Sequence, residues 1–150
     1  VLFRSDFSPL EVLSRVDRLA RLLDRERRRA FTRSELDAWE FDVLAALRRA
    51  GTPYQLSPKA LLQQTLVSSG TMTNRIDRLV ERGLVVRLED PNDGRGVLVE
   101  MTKAGLTRVD AAITRLVDSE AALLHQLPRA EQKKLASSLR RLSLEIDEID

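Results

Sequence analysis

The chain has 150 residues, 43% hydrophobic and 32% charged, with a formal net charge of +2, enough apolar material for one core and a prior of one domain. With no cysteine, disulfides, thiol chemistry and cysteine-ligated metals are excluded. Aromatics at 4% argue against stacking platforms for single-stranded nucleic acid, and no apolar run nears the roughly 20 residues of a membrane span.

No secretory pattern opens the sequence, so a cytoplasmic location is expected. Ser8-Pro9-Leu10-Glu11 reads as a capping box with proline at the first helical position. Leu10, Leu13, Val16, Leu19, Leu22 and Leu23 then form one apolar stripe, with Arg15, Arg18, Arg21, Arg25, Arg27, Arg28 and Arg29 around it. Such a charge run is ordinarily a solvated face, although a local basic surface suffices for binding DNA. Asp37-Ala38-Trp39-Glu40 resembles a second capping box. Phe41, Val43, Leu44 and Leu47 carry its apolar pattern to Gly51, where Gly51-Thr52-Pro53 breaks the chain. Trp39 reads as a packing residue near a helix start, the other reading being a ligand stack.

Ser57 and Pro58 start a short helix whose apolar face is Ala60, Leu61, Leu62 and Leu66. Ser68 or Ser69 caps the next helix. There Met72, Ile76, Leu79 and Val80 recur at helical spacing and face the core. The opposite side carries Thr71, Asn74, Arg75 and Arg78, short polar groups and forked cations of the kind that reach base edges and phosphates. With Ser69 they are the candidate DNA contacts of a recognition helix that stops at Gly83. Leu84 to Leu88 and Val97 to Met101 predict two strands, joined by a tight turn from Asp90 to Gly96. The hairpin tip presents Arg95, braced by Asp93. Alone, Arg95 is a solvated turn charge; behind a helix-turn-helix it fits a minor groove or the flanking phosphates.

Thr102 caps a long helix with Leu106, Val109, Ile113, Leu116, Leu123 and Leu127 on its apolar side, and Pro128 ends it. A last helix runs from about Arg129 to Ile149, where Leu135, Leu139, Leu142, Ile146 and Ile149 are spaced 4, 3, 4, 3, a coiled-coil seam. Such a helix needs a partner, either the first and fifth helices of its own chain or those of a second. A twofold dimer would set two recognition helices about 34–36 Å apart, matching successive major grooves. The predicted fold is therefore mainly α with a small β-hairpin wing. A winged helix-turn-helix lobe over residues 34–101 is flanked by dimerisation helices over 8–30 and 102–150.

No catalytic constellation is present. His125 is the only histidine and reads as a surface or interface residue. Asp147, Glu148 and Asp150 form a polar tail, and Gly94 and Gly96 lack Walker or Rossmann spacing. Neither an enzyme, nor a metal site, nor a cofactor is expected.

The helix order and the segment GLVVRLEDPNDGRGVLVEMTKAG, with Asp93 and Arg95 at its Asp-x-Arg positions, resemble the MarR family of winged-helix regulators. Within that family, EFDVLAALRRAG (Glu40 to Gly51) and SSGTMTNRIDRLVERGLVVR (Ser68 to Arg87) are similar to the urate-responsive, PecS-like branch. The resemblance implies a homodimeric repressor on a palindromic operator in double-stranded DNA, released by a small organic anion such as urate or another metabolite. That branch couples an aspartate of the second helix to arginines of the recognition helix and first wing strand, which by motif match are Asp42, Arg75 and Arg87. Asp42 reads equally well as a salt-bridge or capping residue of an ordinary helix. The alternative function is an architectural or protein-interaction winged helix without an effector.

Overall fold

The computed structural model describes residues 6–65 and 67–147. Leu66, Glu148, Ile149 and Asp150 lie outside the described residues, as do the side chains of Ile146 and Asp147. In chain order the elements are α1 (Ser8–Arg33), α2 (Ala38–Arg49), β1 (Gln55–Leu56), α3 (Pro58–Thr65), α4 (Ser69–Glu81), β2 (Val85–Asp90), β3 (Asp93–Met101), α5 (Lys103–Leu124) and α6 (Arg129–Asp147). The fold is mainly α, with one antiparallel sheet of three strands in the order β1-β3-β2. Residues up to 116 form one compact unit and those from 117 onward a second, α5 running through both.

In the first unit the core forms where the apolar faces of α2, α3 and α4 meet the root of the sheet. Val43, Leu44 and Leu47 of α2 are buried in one cluster with Leu61 of α3, Met72, Ile76 and Leu79 of α4, and Val85 and Val99 of the sheet. Burial of each such large aliphatic side chain is worth about 1.5–3 kcal/mol. The cluster also takes in Phe31 of α1 and Val109 and Ala112 of α5. Phe31 stacks on Phe41 with ring centroids 4.3 Å apart.

The start of α1 departs from expectation. Ser8 lies inside the helix, and Phe7 is the N-cap, whose own side chain makes no capping bond. The Ser8 N–H and hydroxyl both donate to the Asp6 carboxylate at 3.0 Å, so the expected Ser8–Glu11 capping box does not form. Asp6 thus takes the N–H that Glu11 would accept in a capping box, and these bonds hold Asp6 below the usual carboxylate range, the backbone N–H contributing most. Beyond this turn Leu10, Leu13, Val16 and Leu19 are all exposed. The arginines beside them pair along the helix, Arg21 with Asp17 at 3.0 Å and Arg28 with Asp24 at 2.9 Å. These exposed pairs each contribute a few tenths of a kcal/mol, about the value of i,i+4 pairs on a helix surface.

The remaining boundaries of this unit have local causes. At α3 the Ser57 hydroxyl accepts the Ala60 N–H at 3.1 Å. Of the two serines before α4, Ser68 is the cap, accepting the Thr71 N–H at 3.3 Å. Past α4, Gly83 has φ +69° and its N–H returns to the Val80 carbonyl, a left-handed stop suited to glycine. β1 was not expected; its two residues pair with Val99 and Glu100, and Gln55 Nε2 donates to Glu100 Oε1 at 3.0 Å.

In the second unit α5 ends at Leu124, three residues before the Leu127 expected from Pro128. Gln132 Nε2 donates to the carbonyls of Leu124 and Leu127 at 3.1 and 2.9 Å, satisfying acceptors the helix end leaves open. Along α6 the seam residues Leu135, Leu139 and Leu142 are exposed.

Candidate nucleic-acid interface

The helix-turn-helix, α3 followed by α4, displays one side of α4. Met72, Ile76 and Leu79 are buried beneath it, so Ser69, Thr71, Asn74 and Arg78 are exposed and Arg75 is half-buried. Four of the five expected contacts, Thr71, Asn74, Arg75 and Arg78, line one open groove, with Ser69 exposed at the helix start, although their side chains are not all idle. Thr71 Oγ1 accepts the Ser68 hydroxyl at 2.8 Å. The Arg75 and Arg78 guanidiniums lie 5.7 and 5.1 Å from the centre of the Trp39 ring, within the range of cation–π attraction. Trp39 does pack partly against the core, as its position at a helix start suggests. Its platform for two arginines was invisible in sequence, because α2 and α4 approach each other only in the fold.

The wing differs from the expected form. β3 begins at Asp93, not Val97, so the seven-residue turn shrinks to Pro91 and Asn92, and the Asn92 N–H is accepted by Asp90 Oδ1 at 2.9 Å. Asp90 pairs with Asp93 while Glu89 pairs with Val97, so the register jumps between Glu89 and Asp90. Gly94, Arg95 and Gly96 occupy this bulge, which places exposed Arg95 beside the turn rather than at its apex. Asp93 Oδ1 accepts the Arg95 backbone N–H at 3.2 Å. The support is therefore to the arginine's backbone and leaves its guanidinium available.

The root of the wing is locked to α5. Thr102 donates its N–H to Leu84 O and its hydroxyl to Gly83 O, and the same hydroxyl accepts the Gly105 N–H at 3.1 Å. A Cβ at Gly105 would collide with the Leu84 carbonyl, so glycine permits this close crossing.

Two ion-pair systems, neither found from sequence, brace the lobe, the first at the end of the recognition helix and the second between α2 and α5. Buried Glu40 pairs with Arg82 at the end of α4, and its other oxygen accepts the Asp37 N–H at 2.9 Å, one arm of the expected capping box. Arg82 also donates to Glu35 O at 2.8 Å, and Arg108 of α5 reaches the same carbonyl at 3.2 Å. Arg48 of α2 bonds Asp110 of α5 at 2.9 Å and lies over Tyr54. That hydrogen bond, then the charge of Asp110, raises the arginine above its usual range.

The residues matched to an effector site are more dispersed. Arg87 pairs with Asp77 of α4, Arg75 lies over Trp39, and Asp42 is exposed on α2 with neither arginine as a salt-bridge partner among the described residues. Among those residues there is no cluster of metal-binding side chains, and no helix is long and apolar enough to cross a membrane.

Residues 34–96, the helix-turn-helix and most of the wing, match the MarR family model. The chain is 31% identical to the HTH-type transcriptional regulator PecS of Dickeya dadantii over 91% of this chain and 82% of that protein. It is 32% identical to the HTH-type transcriptional repressor NicR of Pseudomonas putida, covering 72% and 69% of the two chains. Among solved structures, a mutant of Escherichia coli MarR in complex with operator DNA is 30% identical, with a TM-score of 0.71 over 92% of this chain and 99% of that one. These relatives are regulators rather than enzymes. With the family model on the DNA-reading elements and PecS matched along most of both chains, the chain belongs to the MarR family of winged-helix, DNA-binding transcriptional regulators.

Proposed function

We propose that the chain is a cytoplasmic, homodimeric repressor that binds a palindromic operator and leaves it when a small organic anion binds. The observation that carries the DNA-reading part is the open groove that Thr71, Asn74, Arg75 and Arg78 of α4 line, opposite buried Met72, Ile76 and Leu79 and with Ser69 exposed at the helix start. In this reading α4 enters the major groove, while Arg95, its backbone held by Asp93, reaches the adjacent minor groove or its phosphates. The lobe is 34–101, and dimerisation falls to 8–30 and 102–150. The exposed leucines of α1 and α6 support that role, since each stripe offers an apolar face to a second copy.

The effector part follows the branch resemblance, with Asp42, Arg75 and Arg87 as the site. Arg87 already holds a carboxylate, that of Asp77. An anion such as urate would take the place of that partner and gain the charge-assisted bonds a guanidinium offers. If Arg75 serves both DNA and anion, each ligand disfavours the other, and the coupling is reciprocal. Fluorescence anisotropy with a duplex from the region upstream of the chain's own coding sequence tests both parts. Binding to that duplex but not to a scrambled one is expected, with release on addition of urate or a related planar anion. Failure of every anion to release it would leave the effector-independent reading. Equal release midpoints for wild type and Arg87→Ala would remove Arg87 from the site.

A further inference from the structure

Trp39 is the chain's single tryptophan, and its half-buried ring meets the guanidiniums of Arg75 and Arg78 on one side of an open groove shared with Thr71 and Asn74. The ring is itself held in place. The neighbouring Glu40 is buried and tied to the Asp37 N–H and to Arg82, which anchors the first turn of α2 to the far end of α4. The α2 surface bearing Trp39 and the α4 surface bearing the arginines are thus fixed relative to each other before any ligand arrives.

We propose that Trp39 is a positioning residue for DNA recognition, ordering Arg75 and Arg78 ahead of binding and so sharpening discrimination between operator and other DNA. This rests on the reading of Arg75 and Arg78 as DNA contacts. An arginine free to sample many rotamers must be ordered on the duplex, a cost of about twofold to tenfold in affinity per side chain. Guanidiniums already resting on an aromatic face lose less. The benefit falls on specific binding, where base edges demand one geometry. Loose, charge-driven binding to arbitrary DNA depends on cation number, which Trp39 leaves unchanged.

The experiment measures affinity for a palindromic duplex from the chain's own upstream region and for a scrambled duplex, at several salt concentrations. Trp39→Leu should weaken palindrome binding about tenfold, leave scrambled binding within about twofold and keep the salt slope, whereas Trp39→Phe, which retains a ring face, should restore most of the loss. Arg78→Ala should lower the slope by about one, and adding Trp39→Leu to it should cost less than in wild type. Unchanged or tighter palindrome binding by Trp39→Leu would overturn the proposal, as would equal weakening on both duplexes. If Arg75→Ala and Arg78→Ala both leave affinity and salt slope untouched, it is the DNA-contact reading that fails. Emission from the sole tryptophan supplies a measurement that survives misfolding of Trp39→Leu. The free Arg75→Ala and Arg78→Ala proteins should differ from wild type in emission, and three identical spectra would show that the guanidiniums do not rest on the ring in solution, overturning the proposal.

Discussion

The two apolar patterns that dominate this chain meet different fates. In α2 and α4 the leucines and their neighbours are almost wholly removed from solvent, Leu44, Leu47 and Leu79 each at 0% exposure. In α1 and α6 equally regular leucines remain open, Leu13 at 56% and Leu139 at 40%. Helical periodicity is the same signal in both regions, because it records a face rather than what covers that face. The difference separates residues that make one chain fold from residues that the fold of one chain leaves uncovered.

The sharpest way to break this contrast is to remove volume from the closed region. Leu44→Ala should cost about 3 kcal/mol of stability, since the site is enclosed and leaves a cavity. Urea unfolding checks it, and a loss below about 1 kcal/mol would mean that the lobe is looser than its burial indicates. In the open region Leu139→Glu should leave the helix-turn-helix folded but raise the dimer dissociation constant by about two orders of magnitude, the result of desolvating an unpaired charge in an apolar contact. Sedimentation shows the outcome, and an unchanged dimer would take the α6 stripe out of the interface.

A smaller loss is expected at the join between α2 and α4. Arg82→Met leaves the Glu40 carboxylate buried without its cation, for about 2 kcal/mol of destabilisation, less than for a fully buried pair because Arg82 is partly exposed. Adding Glu40→Gln should recover part of it in thermal melts, and a purely additive double mutant would refute the coupling. The smallest effect concerns the outermost cation. Arg95→Ala should leave stability within about 0.5 kcal/mol while lowering the salt slope of DNA binding by about one. A slope identical to wild type at every DNA tested would detach the wing from the interface.

What was legible in the sequence was what neighbouring residues decide. The helix start at Ser57-Pro58, a serine cap before α4 and the stop at Gly83 were legible because each acts on backbone groups within a few residues. Even at this range a competitor can intervene, as Asp6 does by taking the donors of Ser8. The buried residues of α4 followed directly from its period, and with them its exposed side. What stayed hidden depends on chain segments far apart in sequence. β1 is two residues long and exists only because Glu100 and Val99 pair with it. Glu40 reaches Arg82, and Trp39 reaches Arg75 and Arg78, across the fold rather than along the chain. The wing was recognised from its glycines and proline, but pattern alone could not show that β3 starts four residues early and bulges at Arg95.

The crossing at Thr102 has a mechanical consequence. Val85 and Met101, at the root of the hairpin, are buried and sit beside hydrogen bonds from Thr102 to Gly83 and Leu84, while the other end of the hairpin is exposed. The wing is therefore a cantilever, clamped at one end and free at the other. A cantilever deflects most at its free end, and the Arg87–Asp77 pair ties β2 to α4 partway along, so flexure falls chiefly on the stretch beyond Arg87 that carries Arg95. Groove width varies with DNA sequence. In the proposed complex with DNA this geometry would let Arg95 follow that variation while the recognition helix keeps its bearing.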